Sequence, residues 1–158
     1  MASIHHQIWI DAPIATVYRA LASAEGLSRW WIPHQDVERD GERLLCHHAG
    51  SSHGAVLLRV LEASAERCLR WEVISRHPPQ SPAAGWMGTE IRFDLARRAS
   101  PGPWLGLDNP GEPMTVLDLR HLGWREDSGF LGHCSLAWAQ TLLRLRDWAN
   151  AQVHGAAH

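Results

Sequence analysis

One long helical stripe, preceded by many short alternating segments, limits what this chain can fold into. Trp138, Leu142, Leu145 and Ala149 recur at the spacing of a single helix face, with Gln140, Arg144 and Asp147 opposite. The pattern predicts a helix that begins at Gly132 or Ser135 and runs to about Val153. A helix with one apolar stripe has to lay it against another layer. The upstream sequence offers that layer as strands. Ile4 to Asp11 alternates, with Ile4, His6, Ile8 and Ile10 on one face and Gln7, Trp9 and Asp11 on the other. A meander is expected from Val37 to Leu95, punctuated by Asp40-Gly41, Gly50-Ser51-Ser52 and Ala65-Glu66. Its strands are expected at Arg43 to His48, Gly54 to Ala63, Cys68 to Ser75 and Thr89 to Leu95. In the last of these Ile91, Phe93 and Leu95 face inward. Met114 to Trp124 is the final strand, with Thr115, Leu117, Leu119 and His121 on one face and Asp118 and Arg120 on the other.

Between the first strand and the meander the period changes. Asp11-Ala12-Pro13 predicts a helix start, with Asp as cap and Pro in the first turn. Ile14, Val17, Tyr18 and Leu21 then form one short apolar face. A second short helix is expected from Ser23 to Trp31, stopped by Pro33. Pro78 to Gly85 reads as loop. So does Ser100 to Pro113, whose Trp104, Leu105 and Leu107 could fold back as a flap. The order is strand, two short helices, about six strands and one long helix. Antiparallel strands of this kind can curve around a helix, so an α+β fold is expected, a curved sheet of six to seven strands on the C-terminal helix.

The length of 158 residues suggests one domain spanning 1–158, large enough to bury a core. A net charge of −2 gives no basic excess for nucleic acid. The 11 histidines could add positive charge below about pH 6.5. The odd count of cysteines, Cys46, Cys68 and Cys134, contains no C-x-x-C pair and suggests a reduced, cytoplasmic setting. The N-terminal residues lack a basic region followed by an apolar run, so no signal peptide is expected. No apolar run is long enough to predict a membrane span.

Four segments resemble the SRPBCC superfamily of START, polyketide cyclase and birch-pollen allergen-like domains, and within it the Hsp90 ATPase activator-like branch. They are Ile10-Asp11-Ala12-Pro13 with Val17-Tyr18-Arg19-Ala20-Leu21, and Glu25-Gly26-Leu27-Ser28-Arg29-Trp30-Trp31 with its paired aromatics. The others are Gly88-Thr89-Glu90-Ile91-Arg92-Phe93, followed by Thr115 to Gly123, and Trp138-Ala139-Gln140-Thr141-Leu142-Leu143-Arg144-Leu145. The match spans nearly the whole chain in order. The resemblance implies a helix-grip fold with an apolar cavity between sheet and helix. The superfamily includes lipid carriers, hormone receptors, aromatase/cyclases and co-chaperone domains, so fold alone does not assign function.

The chain's 9 tryptophans stand beside only 2 phenylalanines and 1 tyrosine. Trp30, Trp71, Trp86, Phe93 and Trp138 fall on elements expected to face the cavity, where they could stack on a flat ligand or simply fill the core. Leu117, Leu119, His121, Leu142 and Leu145 complete the expected walls. The leading expectation is a binding domain for a small hydrophobic or aromatic molecule. An enzyme of cyclase or aromatase type, with His121 as acid/base, is the first rival, set against the more expected case of a core His121 satisfied by a backbone or tryptophan partner; a co-chaperone-like protein-binding module is the second. Homodimerisation through an edge strand or the 100–113 loop is also open. No catalytic residue is assigned and no cofactor is implied. Cys46-His47-His48 with His53 is the densest set of candidate metal ligands, with His133-Cys134 a conceivable complement. Yet adjacent strand residues point to opposite faces, so Cys46 and His48 share a side that His47 does not, and no metal is expected. Cys134, near a helix start, could have a lowered pKa, although a structural thiol is the default.

Overall fold

The computed structural model describes residues 1–155. Seven strands form one antiparallel sheet in the order β1-β7-β6-β5-β4-β3-β2. They are β1 (Ala2–Ile10), β2 (His34–Arg39), β3 (Glu42–His48), β4 (Ala55–Ser64), β5 (Cys68–Val73), β6 (Glu90–Ala99) and β7 (Pro113–Trp124). Two short helices, α1 (Ile14–Leu21) and α2 (Ala24–Ser28), follow β1, and α3 (Leu131–His154) closes the chain. This is the expected α+β helix-grip arrangement: a curved sheet laid on a long C-terminal helix. None of these helices is long and apolar enough to cross a membrane.

Alternation accounts for the two faces. On β6 and β7, Ile91, Phe93, Leu95, Leu117 and Leu119 turn toward α3 and are buried. On α3 the buried positions are Cys134, Trp138, Thr141, Leu142, Leu145 and Ala149, one stripe at helical spacing. The other sheet face carries a lattice of cross-strand ion pairs. Arg59 bridges Glu42 and Glu72, Arg70 bridges Glu62 and Glu90, and Asp94 is shared by Arg92 and Arg120. Half-exposed pairs of this kind add little to stability. Their larger effect is to keep this face unsuitable for burial. A bulge in β4 helps build the lattice. Val60 pairs with Trp71, but the next pairing is Glu62 with Arg70, leaving Leu61 unpaired. The extra residue moves Glu62 onto the charged face beside Arg70.

Local chemistry departs from expectation in several places. Ser23 caps α2 by accepting a hydrogen bond from Gly26 N–H at 3.0 Å, but α2 ends at Ser28 and not at Trp31. Trp30 and Trp31 therefore sit in a turn, aimed by Trp30 Nε1–H donating to the Ala20 carbonyl at 2.9 Å. Pro13, not Asp11, stands at the N-cap of α1, with no side-chain cap. Asp11 instead ties the sheet to the end of α3. Its backbone N–H donates to Asn150 Oδ1, and its carboxylate meets His154. Pro78 to Gly85 is not all loop, because Pro82–Trp86 winds into a 3-10 turn capped by Ser81. The 100–113 loop contains another, Gly102–Leu105, and Trp104 at its tip is 89% exposed, so that side chain does not fold back.

Candidate functional site

The inward histidine of β7 anchors the interior. Trp138 Nε1–H of α3 donates to His121 Nδ1 at 3.0 Å. With Nδ1 accepting, the neutral ring carries its proton on Nε2, which donates to Thr89 Oγ1 at 2.7 Å. The Thr89 hydroxyl then donates to the Trp86 carbonyl. Every member of this relay is used, and His121 has 0% exposure. Burial pushes its pKa down to about 3. Protonation would remove the lone pair that receives Trp138, so the network and the desolvation both favour the neutral ring. No free ring nitrogen remains to take a proton from a substrate in this arrangement.

Around the relay the aromatic rings close on one another. Trp86 lies flat on Trp138 at 5.6 Å and 16°, and edge-on to His121 at 4.9 Å. Phe93 meets Trp138 at 6.1 Å and Trp71 at 5.0 Å, both edge-to-face. Leu117, Leu119, Leu142 and Leu145 fill the spaces between them in one core cluster. Trp30 is buried nearby under α1 and stacks on Trp31. So nine of the ten expected cavity residues are buried and pack mainly against other core side chains. Trp86 is the exception, half-buried at the rim.

Trp86 faces a smaller opening. A cavity of about 220 Å³ lies between β3, β4, the 3-10 turn and the first turns of α3. Its walls are Val56, Pro82, Ala83, Trp86 and Ala137, with His47, His53, His133 and Cys134 as the polar contributors and Ala49 at the edge. The sequence pointed to His47, His53 and His133 only as metal ligands, and to Cys134 as a metal ligand or a helix-start thiol. Among the described residues no group of three or more His, Cys, Asp or Glu side chains stands where it could hold a metal ion. Burial raises the Cys134 pKa, against the direction a helix start suggested, while Trp86 Nε1–H donates to its sulfur at 3.4 Å. The thiol lies inside the first turn of α3, where loss of water outweighs the helix dipole.

Behind the cavity is a histidine pair that the sequence did not reveal. His34 and His47 face each other across the β2–β3 register with ring centroids 4.5 Å apart. Trp31 covers both, at 4.9 and 5.0 Å, and touches Trp138 at 5.1 Å. His34 Nδ1–H donates to the Ile32 carbonyl at 2.6 Å, which leaves Nε2 as a bare acceptor. Neither His34 Nε2 nor His47 Nδ1 has a hydrogen-bond partner, although both are buried. Burial, then the neighbouring His34, holds the His47 pKa down to about 3, and burial lowers that of His34. Buried polar atoms without partners are uncommon and call for an explanation. Four wider surface grooves, of about 450, 610, 440 and 490 Å³, are lined by none of the ten expected residues.

No family model matches the sequence, and no curated protein matches it significantly. Solved structures do match. A solution structure of the Aha1 dimer from Colwellia psychrerythraea superposes with a TM-score of 0.71 at 25% sequence identity, covering 99% of this chain and 100% of that one. A Mesorhizobium loti crystal structure gives 0.68 at 19% identity, over 93% of this chain and 96% of the other. CalU16 from Micromonospora echinospora gives 0.64 at 17%, over 96% and 78% respectively.

Proposed function

On an SRPBCC-type helix-grip fold that resembles the Hsp90 ATPase activator-like branch, we propose that this chain acts, as one domain, to bind a small hydrophobic or aromatic molecule between sheet and C-terminal helix. The supporting observation is the cavity at the open end of the grip. It is walled by Trp86 and small apolar side chains and bordered by the buried, partly unpartnered His47. Ligand would enter beside Trp86. Deeper penetration would require the Pro82–Trp86 turn to lift its indole from Trp138. Three free, buried cysteines are compatible with a reducing, cytoplasmic setting.

The cyclase-type reading is less well supported, because His121 spends both nitrogens inside the relay. A protein-binding role finds one supporting feature in exposed Trp104 and Leu105. The same loop is our candidate for contact with a second copy, since the Colwellia relative is a dimer. Native mass spectrometry of protein purified gently from its own host tests the leading reading. A released small molecule near one per chain supports it. An empty mass, together with no uptake from a broad hydrophobic panel, moves the assignment to the protein-binding role.

A further inference from the structure

We infer that the occupant of the cavity beside Trp86 is an uncharged, single-ring aromatic alcohol of the phenol class, stacked on the indole and hydrogen-bonded through its hydroxyl to His47. The inference rests on the binding reading above and narrows it by size, charge and polarity.

Size comes first. An apolar cavity of 150 Å³ holds benzene, whereas sites for drug-sized ligands span roughly 300–1,000 Å³. At about 220 Å³ the space seats one substituted ring, and a longer chain or a fused polycycle would have to project from its mouth. Charge comes second. No Arg, Asp or Glu lines the cavity; its titratable groups are His47, His53, His133 and Cys134, with His34 behind His47. His47 is 4% exposed and neutral. A carboxylate or ammonium would enter without a counter-charge and lose its hydration. Polarity comes third. A neutral imidazole offers one donor and one acceptor; His47 lines the cavity, and among the described residues neither of its ring nitrogens has a hydrogen-bond partner, Nδ1 being the buried one. A hydroxyl can donate or accept, so it meets either tautomer, whereas an ether can only accept and a hydrocarbon can do neither.

Isothermal titration of the intact chain at pH 7.5 with phenol, anisole, toluene and benzoate tests this. The expected order is phenol first, with at least a tenfold preference over toluene, then anisole, then no measurable benzoate. His47→Leu should bring phenol down to the level of toluene, while His47→Gln, which keeps a donor and an acceptor, should retain part of the preference. Ala137→Phe, which fills the cavity, should abolish binding of all four. Toluene equal to phenol, benzoate binding best, or an undiminished preference in His47→Leu would overturn the phenol assignment and leave the binding reading standing. If His47→Leu does not fold, the ranking on the unaltered chain decides alone. Binding of a fused-ring or acyl probe in place of all four also refutes the assignment and spares the reading. Failure of every probe, large and small, refutes both.

Discussion

Acid should destabilise this fold far more than its near-neutral charge suggests. His47 and His121 are buried, and each is held down to a pKa of about 3, from about 6.5 when unfolded. Below pH 6.5 the unfolded chain takes up protons that the folded chain refuses, so unfolding gains free energy as pH falls. The stability these rings contribute is complete above about pH 6.5 and drains away as pH falls toward 3. Between pH 7.5 and 5 each ring costs about 2 kcal/mol, at 1.36 kcal/mol per unit. Together they remove about 4 kcal/mol, a large share of the roughly 5–15 kcal/mol typical of a domain. The lowered His34 adds to the loss in the same direction. At about 2–4 °C per kcal/mol for a chain of this size, the melting temperature should fall by about 8–16 °C over that interval. Thermal melts followed by circular dichroism at several pH values measure this directly. His47→Gln removes one titrating ring and should roughly halve the fall. A melting temperature constant within about 2 °C from pH 7.5 to 5 would refute the reasoning, as would proton NMR showing both rings titrating near 6.5 in the folded state.

Three further outcomes follow from particular contacts. His121→Leu strands the indole N–H of Trp138 and takes from Thr89 the donor its oxygen accepts from; denaturant unfolding should show a loss of about 3–5 kcal/mol, and His121→Leu combined with Trp138→Phe should recover part of it. Gly26→Ala sets helix propensity, about 1 kcal/mol in favour of alanine, against space, because the new methyl would press on the Arg19 carbonyl oxygen. Backbone cannot yield cheaply, so thermal melts should show a net loss of about 1–3 kcal/mol, and a gain would refute the close packing of α1 on α2. Trp104→Ser should change stability by less than about 0.5 kcal/mol, while light scattering on a sizing column reads whether the 89% exposed ring joins two copies.

The parts legible in sequence are those set by local period. Ile91, Phe93 and Leu95 alternate strictly, and Trp138, Leu142 and Leu145 keep helical spacing, so their strand, helix and inward direction could be read directly. What period does not carry is how many neighbours arrive at the same place. The inward face of β7 was legible, as was a core His121 satisfied by a backbone or tryptophan partner; that Thr89 would take the second nitrogen was not. The His34–His47 pair depends on the register of β2 against β3. A strand of six residues with four of them exposed carries almost no apolar pattern to fix that register. Leu61 was read as an ordinary strand residue because a bulge leaves no periodic trace until its partners are known. The Pro82–Trp86 turn was hidden by the two prolines before it, Pro78 and Pro79, and by its own Pro82 and Gly85, which describe a loop as readily as a short 3-10 turn.

Four indoles, Trp30, Trp31, Trp138 and Trp86, stand in a row from the helix turn to the cavity rim, with successive centroids 5.9, 5.1 and 5.6 Å apart. At such separations the excited states of neighbouring rings couple, and light absorbed by one migrates along the others before it is emitted. The row is therefore an optical unit that ends at the one ring touching the cavity. Exciton-coupled circular dichroism should register a tilt of Trp86 against Trp138 even when the other rings stay in place, so the protein carries its own gauge of whether the grip is closed.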